Sequence, residues 1–326
     1  MKCKNQKVTS DYAIYNGDSV ELMQEIPDNS IDYSIYSPPF QSLYVFSDSD
    51  RDLSNCKTAD EFWTHYKFMI KEKLRITKQG RLTSVHCINL PTTLVHNGYI
   101  GLDDFRGEII KAHQDAGFIF HSEVVIWKDP VVSMQRTKAL GLLHKQVKKD
   151  SSRSRMGIPD YIVTFRKQGE NEDRIEGRFD NDLYAGEMKL EKPRDFGVDQ
   201  NGNKFMRGEE DIKEWGSIDV WQNYASPVWF DIRQGNVLNR KEGRHNDDEK
   251  HITPLQLDVI DRCLQLWSKE GDTVFTPFLG IGSEIYMAVK RNRKGFGIEL
   301  KESYYNLAVK NIEFAISERD QIELYT

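Results

Sequence analysis

The sequence predicts an α/β fold: a doubly wound, mostly parallel sheet with helices on both faces. Short β-branched and aromatic runs alternate with stretches of helical period through residues 1–166. The same alternation resumes over residues 247–326. Within that second block a strand, a glycine loop, a helix and another strand follow in close order, which is one βαβ unit. Residues 167–246, between the blocks, are polar, Gly-punctuated and without periodicity, so they read as an insertion.

Each element has a local reason. Tyr12–Tyr15 reads as a strand that turns at Asn16-Gly17-Asp18 into a short helix, Ser19–Glu25, stopped by Pro27. Ile31–Tyr36 is a β-branched and aromatic strand ending at Ser37-Pro38-Pro39-Phe40. The polar segment Gln41–Cys56 reads as a loop. Ala59–Thr77 is a helix with Phe62, Tyr66, Met69, Ile70 and Leu74 at helical spacing, Thr58 as its cap and Gly80 as its end. Leu82–Leu90 reads as a buried strand, Asp104–Ala116 as a helix ended by Gly117, and Phe118–Trp127 and Asp160–Arg166 as strands. In the second block, Pro254–Lys269 is amphipathic, with Leu255, Val259, Ile260, Cys263, Leu264 and Trp267 on one side. Thr273–Thr276 is a strand, Glu284–Arg293 a helix, Phe296–Leu300 a strand and Ser303–Ser317 a final helix.

Composition limits the function classes. At 326 residues, 38% hydrophobic and 29% charged, the chain reads as an ordinary soluble protein. No apolar run reaches the roughly eighteen residues of a membrane span. The N-terminus has no apolar signal core, so a cytoplasmic protein is expected. Cys3, Cys56, Cys87 and Cys263 are scattered, which suits reduced thiols better than disulfides or zinc. No His or Cys pairing suggests a metal. A net charge of −6 argues against indiscriminate nucleic-acid binding but allows a local basic face. The run Arg136–Arg155, with Lys145, Lys148, Lys149, Arg153 and Arg155, supplies one. It suits either a solvated surface or phosphate contact.

Two stretches carry chemistry. Two consecutive prolines cannot continue a strand ladder, so Ser37–Phe40 leaves its strand as a stiff, acceptor-rich corner ending in an aromatic ring. Such a corner can hold a flat heterocycle by its amino group; standing alone, it reads first as a rigid turn packing its ring into the core. In the βαβ unit, Pro277-Phe278-Leu279-Gly280-Ile281-Gly282-Ser283 lets backbone approach a ligand, and Glu299 can accept both hydroxyls of a ribose. The dinucleotide fingerprint wants a third glycine where Ile285 stands. S-adenosylmethionine, a dinucleotide and purely structural glycines all remain open on this unit alone.

Taken together, Ser37-Pro38-Pro39-Phe40 and Phe278-Leu279-Gly280-Ile281-Gly282 resemble the amino-specific DNA methyltransferases, which act on N4 of cytosine or N6 of adenine. The catalytic corner comes first and the cofactor loop late, which resembles the circularly permuted β group. Asn16-Gly17-Asp18, His251–Lys269 and Gly297-Ile298-Glu299-Leu300 with Tyr304 extend the likeness along most of the chain. The loop, with Gly297–Lys301, also resembles methyltransferases carried by phages and prophages.

The resemblance implies a seven-stranded Rossmann-like methyltransferase sheet and S-adenosylmethionine as cofactor. Double-stranded DNA would be the partner, and residues 167–246 the target-recognition region. It implies Ser37, Pro38, Pro39 and Phe40 as catalytic residues, and Asp18, Thr276, Phe278, Gly280, Gly282 and Glu299 as cofactor residues. β-group relatives are often dimers, so a homodimer is admissible; a restriction endonuclease partner leaves no mark in the sequence. Ser at the first corner position is commoner among N4-cytosine enzymes and Asp among N6-adenine ones, a lean toward cytosine. The chain departs from the family at Thr276, where an Asp is usual, so the charge that would pair with the cofactor's ammonium is missing there. A binding-only DNA protein and a dinucleotide-dependent oxidoreductase are the alternatives, and the latter has no use for the Pro-Pro corner. None of the four cysteines follows a proline, which argues against C5-cytosine chemistry.

Overall fold

The protein, seen in a computed structural model, is described over residues 3–39, 53, 56, 58–92, 97–137, 142–177, 179, 183–187, 196–198, 203–206, 217–239 and 254–323. Phe40, and the expected loop Gln41–Cys56 apart from two positions, lie outside the described residues.

A hairpin, β1 (Asn5–Val8) and β2 (Tyr12–Asn16), opens the chain, closed by Thr9, whose Oγ accepts from the backbone N–H of Asp11 and Tyr12. β1 is exposed throughout and has no apolar pattern, so it left no signal in the sequence. After α1 (Ser19–Met23), β3 (Ile31–Tyr36) is buried at every position. α2 (Ala59–Ile76) begins where expected, its Thr58 cap accepting from Glu61 N at 3.2 Å. Its end differs from expectation. The helix stops against the Thr77 hydroxyl, which donates to Lys73 O at 2.6 Å, and the chain passes directly into β4 (Thr77–Ile88). Gly80 therefore lies inside a strand, at φ +68°, where a Cβ would stand 2.5 Å from Asn171 N. Its glycine answers a close backbone approach rather than a helix end.

A small pair, β5 (Leu90–Thr92) and β6 (Gly101–Asp103), precedes α3 (Phe105–Ala116). Asp104 caps α3 and Gly117, at φ +109°, ends it. β7 (Ile119–Ile126), α4 (Pro130–Thr137), α5 (His144–Lys149) and β8 (Asp160–Arg166) follow. Residues 167–246 hold a two-stranded piece, β9 (Phe196–Val198) with β10 (Lys204–Met206), then α6 (Ser217–Tyr224) and β11 (Val228–Trp229). The second block is α7 (Leu257–Trp267), β12 (Thr273–Thr276), α8 (Ser283–Lys290), β13 (Lys294–Glu299) and α9 (Glu302–Glu323). α9 outruns the apolar pattern that predicted it. Its last turns are held by Arg319 on Asp11 at 2.7 Å and by Glu318 with Lys290 at 2.9 Å.

One nine-stranded sheet orders these as β1-β2-β13-β12-β3-β4-β8-β7-β11. Without the short edge strands β1 and β11, the seven expected strands remain. β2, β13, β12, β3 and β4 are mutually parallel, while β8 runs antiparallel to both β4 and β7. β2 and β3 are consecutive in sequence yet separated in space, with β12 and β13 between them.

Two apolar clusters line the two faces. Tyr33 and Ile35 of β3 join Val259, Ile260, Cys263 and Leu264 of α7, with α8 and α9, on one face. Tyr36 and Val85 join Phe62, Tyr66 and Met69 of α2 and Phe105 and Ile109 of α3 on the other. The strand alternation thus feeds helices on both sides.

Part of residues 167–246 belongs to this core. Trp229 is fully buried against the α7 face, and β11 pairs with β7. Arg262 of α7, itself fully buried, donates to Asp231 at 2.5 Å and to Ala185 O at 2.6 Å. It lies against the rings of Tyr184, Tyr224 and Trp229. Residues 183–187 and 219–233 are thereby tied to the second block.

Candidate active site

β12 is the reversal point of the sheet. From it the chain steps outward to β13, while β3 on its other side leads outward to β4. In such sheets ligands bind in the crevice beyond the carboxyl ends of the two strands that flank the reversal. Here those ends carry the glycine loop, residues 277–283, and the corner at Ser37. Pairing of Phe275 with Ser34 sets the two loops side by side. Phe278 meets Tyr36, the residue before Ser37, with ring centroids 5.8 Å apart.

The glycine loop combines one open position with one close helix contact. Gly280, at φ +55°, has open space where a Cβ would stand. Gly282, at φ +93°, faces Ala308, whose Cβ would be 3.1 Å from an added one, so α9 packs against this glycine. Glu299 accepts from Gly280 N at 2.7 Å and from Lys301 N at 2.9 Å, which fixes its carboxylate beside the loop. Asn16 and Gly17 donate to Glu299 O at 2.8 and 2.9 Å and close the floor from the β2 side. Asp18 caps α1 through Val20 N at 2.8 Å, and Ser19 donates to Pro277 O at 2.5 Å. Thr276 is fully buried, and its Oγ1 has no hydrogen-bond partner. The fixed carboxylate of Glu299, the open space at Gly280 and the orphaned Thr276 hydroxyl fit S-adenosylmethionine. Once bound, S-adenosylmethionine supplies a methyl group activated by its sulfonium.

The corner is more elaborate than its sequence indicated. Ser37 Oγ lies 3.0 Å from His86 Nδ1, because the β3–β4 register sets Tyr36 beside Val85 and so the next residues side by side. His86 Nε2 stands 3.1 Å from Asp160 Oδ2 at the start of β8. Lys128, just beyond β7, stands 2.5 Å from Asp160 Oδ1. Asp160 is fully enclosed. Burial alone would raise its carboxyl, but the neighbouring His86 and Lys128 outweigh this and hold it below the ordinary carboxylate range. Sequence reading missed His86, Asp160 and Lys128, since they lie on β4, on β8 and just past the end of β7 and meet only through sheet register. A His inside a strand expected to be buried was the one available signal.

Behind Ser37 the chain is held stiffly. Tyr36 OH bonds Tyr66 OH at 3.0 Å and His113 Nε2 at 3.3 Å. Lys73 Nζ sits 3.8 Å over the Tyr36 ring and donates to Thr83 Oγ1. Burial pulls Lys73 well below the usual amine range and His113 down to about 3. Of the expected DNA contacts, Lys145, Lys148 and Lys149 are exposed on α5 and Arg153 on the turn after it, while Arg155 is half-buried. Arg153 Nε lies 3.3 Å from Asp150.

This crevice on this strand order defines the class of S-adenosylmethionine-dependent methyltransferases. The profile of the N6/N4 DNA methylase family matches residues 31–310. The chain therefore belongs to that family and is a DNA amino-methyltransferase.

Several relatives are similar over nearly the whole chain. Type II methyltransferase M.BglII of Bacillus subtilis is 24% identical, covering 90% of this chain and 67% of its own length. The orphan methyltransferase M.BamHII of Bacillus amyloliquefaciens is 22% identical, covering 90% and 92%. Among solved structures, PvuII DNA methyltransferase (cytosine-N4-specific) superposes with TM-score 0.58 at 15% identity, over 98% of this chain and 96% of that one. A Thermus thermophilus protein of DNA modification methylase type, complexed with S-adenosyl-L-methionine, gives TM-score 0.58 at 16% identity over 93% of each chain. These likenesses agree on the fold. No helix among the described residues is long and apolar enough to cross a membrane.

Proposed function

We propose that the chain methylates the exocyclic amine of a base flipped out of double-stranded DNA, with N4 of cytosine as the target and N6 of adenine as its rival. The observation that carries this is Ser37 at the reversal point, facing the glycine loop and backed by His86 and Asp160.

An exocyclic amine is a poor nucleophile because its lone pair is delocalised into the ring. Ser37 Oγ and the Pro38 carbonyl accept from the amine hydrogens and favour a tetrahedral nitrogen, most strongly where positive charge develops. S-adenosylmethionine, held by the glycine loop and Glu299, would supply the methyl carbon to this nitrogen, the electron pair of the carbon–sulfur bond leaving with the thioether. The surplus proton on nitrogen passes to Ser37 Oγ as that hydroxyl gives its own to His86 Nδ1. Asp160 stabilises the imidazolium so formed. Phe40 stacks on the base. Extrusion of the base costs a few kcal/mol, offset by stacking and hydrogen bonds in the pocket.

The reading gives sequence recognition to residues 167–246, and phosphate contact to Lys145, Lys148, Lys149, Arg153 and Arg155. The lean to cytosine rests on Ser37 in the corner's first position. The test incubates the protein with methyl-labelled S-adenosylmethionine and unmodified duplex DNA, then separates the nucleosides by mass spectrometry. Label on cytosine N4 is expected, and Ser37→Ala should abolish it. Label on adenine N6 would reverse the base assignment. Cofactor binding without transfer to any DNA would overturn the enzymatic reading.

A further inference from the structure

The cofactor carries two positive groups, a sulfonium and an α-ammonium. The sulfonium must face the Ser37 side of the crevice for its methyl to reach the amine. The ammonium is then the cation left to take a carboxylate from the glycine-loop side. The end of β12 offers it only the hydroxyl of Thr276, buried and without a hydrogen-bond partner.

Two residues past the loop's second glycine stands Glu284, in the first turn of α8 and only 5% exposed. Among the described residues, no Lys, Arg or His pairs with its carboxylate. A carboxyl group this enclosed is costly to ionise without a cation. Its surroundings supply part of what an anion needs, since its own backbone N–H favours the charged form at a helix N-terminus. Burial outweighs this and, with the field of Glu299, pushes the Glu284 carboxyl up to about 8. Of the charged groups on β12, β13, α7 and α9, the elements packed on α8, Glu299 is the one that acts on it.

We propose that Glu284 is the anionic partner of the cofactor's α-ammonium, taking over the charge that the end of β12 lacks at Thr276. This rests on S-adenosylmethionine as the cofactor. The carboxyl is protonated in the ligand-free protein at neutral pH, and the arriving ammonium draws the proton off. Binding therefore releases a proton to solvent.

Calorimetry at pH 6.5, in two buffers of different ionisation enthalpy, reads that proton directly, because the ligand's own α-amino group stays charged there. S-adenosylmethionine and S-adenosylhomocysteine, which share the ammonium, should each release close to one proton. 5′-Methylthioadenosine, which lacks the amino-acid arm, should release none. Glu284→Gln, nearly the same shape, should bind S-adenosylhomocysteine at least about tenfold more weakly and without proton release. Thr276→Asp in that background should restore affinity. Proton release that persists in Glu284→Gln, or S-adenosylhomocysteine binding to the unaltered protein with no release, would overturn the assignment. If the unaltered protein binds none of the three adenosyl ligands, it is the cofactor reading that fails.

Discussion

Replacing His86 with Ala separates the two jobs of the corner, holding the amine and removing its proton. His86 touches Ser37 at 3.0 Å and Asp160 at 3.1 Å. Its loss does not strand Asp160, because Lys128 still stands 2.5 Å from the other carboxylate oxygen. Folding should therefore lose only the packing of one nearly buried ring, about 1–3 kcal/mol, rather than the larger cost of an unpaired buried charge. The chemical step should lose much more. Without a proton acceptor behind it, Ser37 can still accept from the amine but cannot pass its own hydrogen on. A positioned base contributes about 10²–10⁴ in rate, or about 3–5 kcal/mol of barrier. The assay is single-turnover methyl transfer at saturating cofactor and DNA, with cofactor and DNA affinities measured separately. Transfer slowed at least about a hundredfold, with both affinities within about threefold, is the expected result. A rate within about threefold of the unaltered enzyme would refute the relay and leave His86 as a packing residue.

Three other outcomes follow from the same geometry. The Asp160 carboxyl is held below its ordinary value, so its stabilising effect is complete above about pH 4 and fades as pH falls through the folded value. In denaturant melts, the gap between the protein and Asp160→Asn should be constant near pH 6 and shrink in acid; a gap independent of pH would contradict it. Arg262→Ala removes the partner of buried Asp231 and should cost about 3–5 kcal/mol by urea unfolding, and a loss under about 1 kcal/mol would mean the cluster around Trp229 holds without it. Changing Lys148, Lys149 and Arg153 to Gln should flatten the plot of log binding constant against log salt by up to about 3 units of slope, whereas an unchanged slope would return α5 to a merely solvated face.

The sequence was most informative where one local pattern decides one element. α2 and α3 start at their caps, Thr58 and Asp104, because a helix needs acceptors for its first N–H groups. β12, α8 and β13 followed from glycines and apolar alternation alone. What escaped depends on distant partners. β11 has two residues and exists because β7 is beside it. Gly80 looked like a helix end, but its conformation answers the backbone near Asn171. In the site, Ser37 and the glycine loop carried a reading only as a pair, whereas His86, Asp160 and Lys128 converge only once three strands are in register. Glu284 looked like one more polar residue at a helix start; only the packing of α8 between α7 and α9 encloses it.

The placement of β12 and β13 between β2 and β3 also dictates an order of assembly. The strands that carry the corner are made first, yet their inner edges stay unpaired until residues 273–299 emerge and slot between them. The pairing of Gly295 with Tyr12 spans most of the chain, so this closure is slow by topology and its entropy is met late. Until then the nascent chain carries bare strand edges flanked by Tyr12, Ile14, Tyr33 and Ile35, the kind of surface that pairs with another copy. A chain interrupted before residue 273 should therefore collect in aggregates rather than as a soluble half-enzyme. The last strands made thus act as the wedge that both completes the cofactor crevice and silences the edges on either side of it.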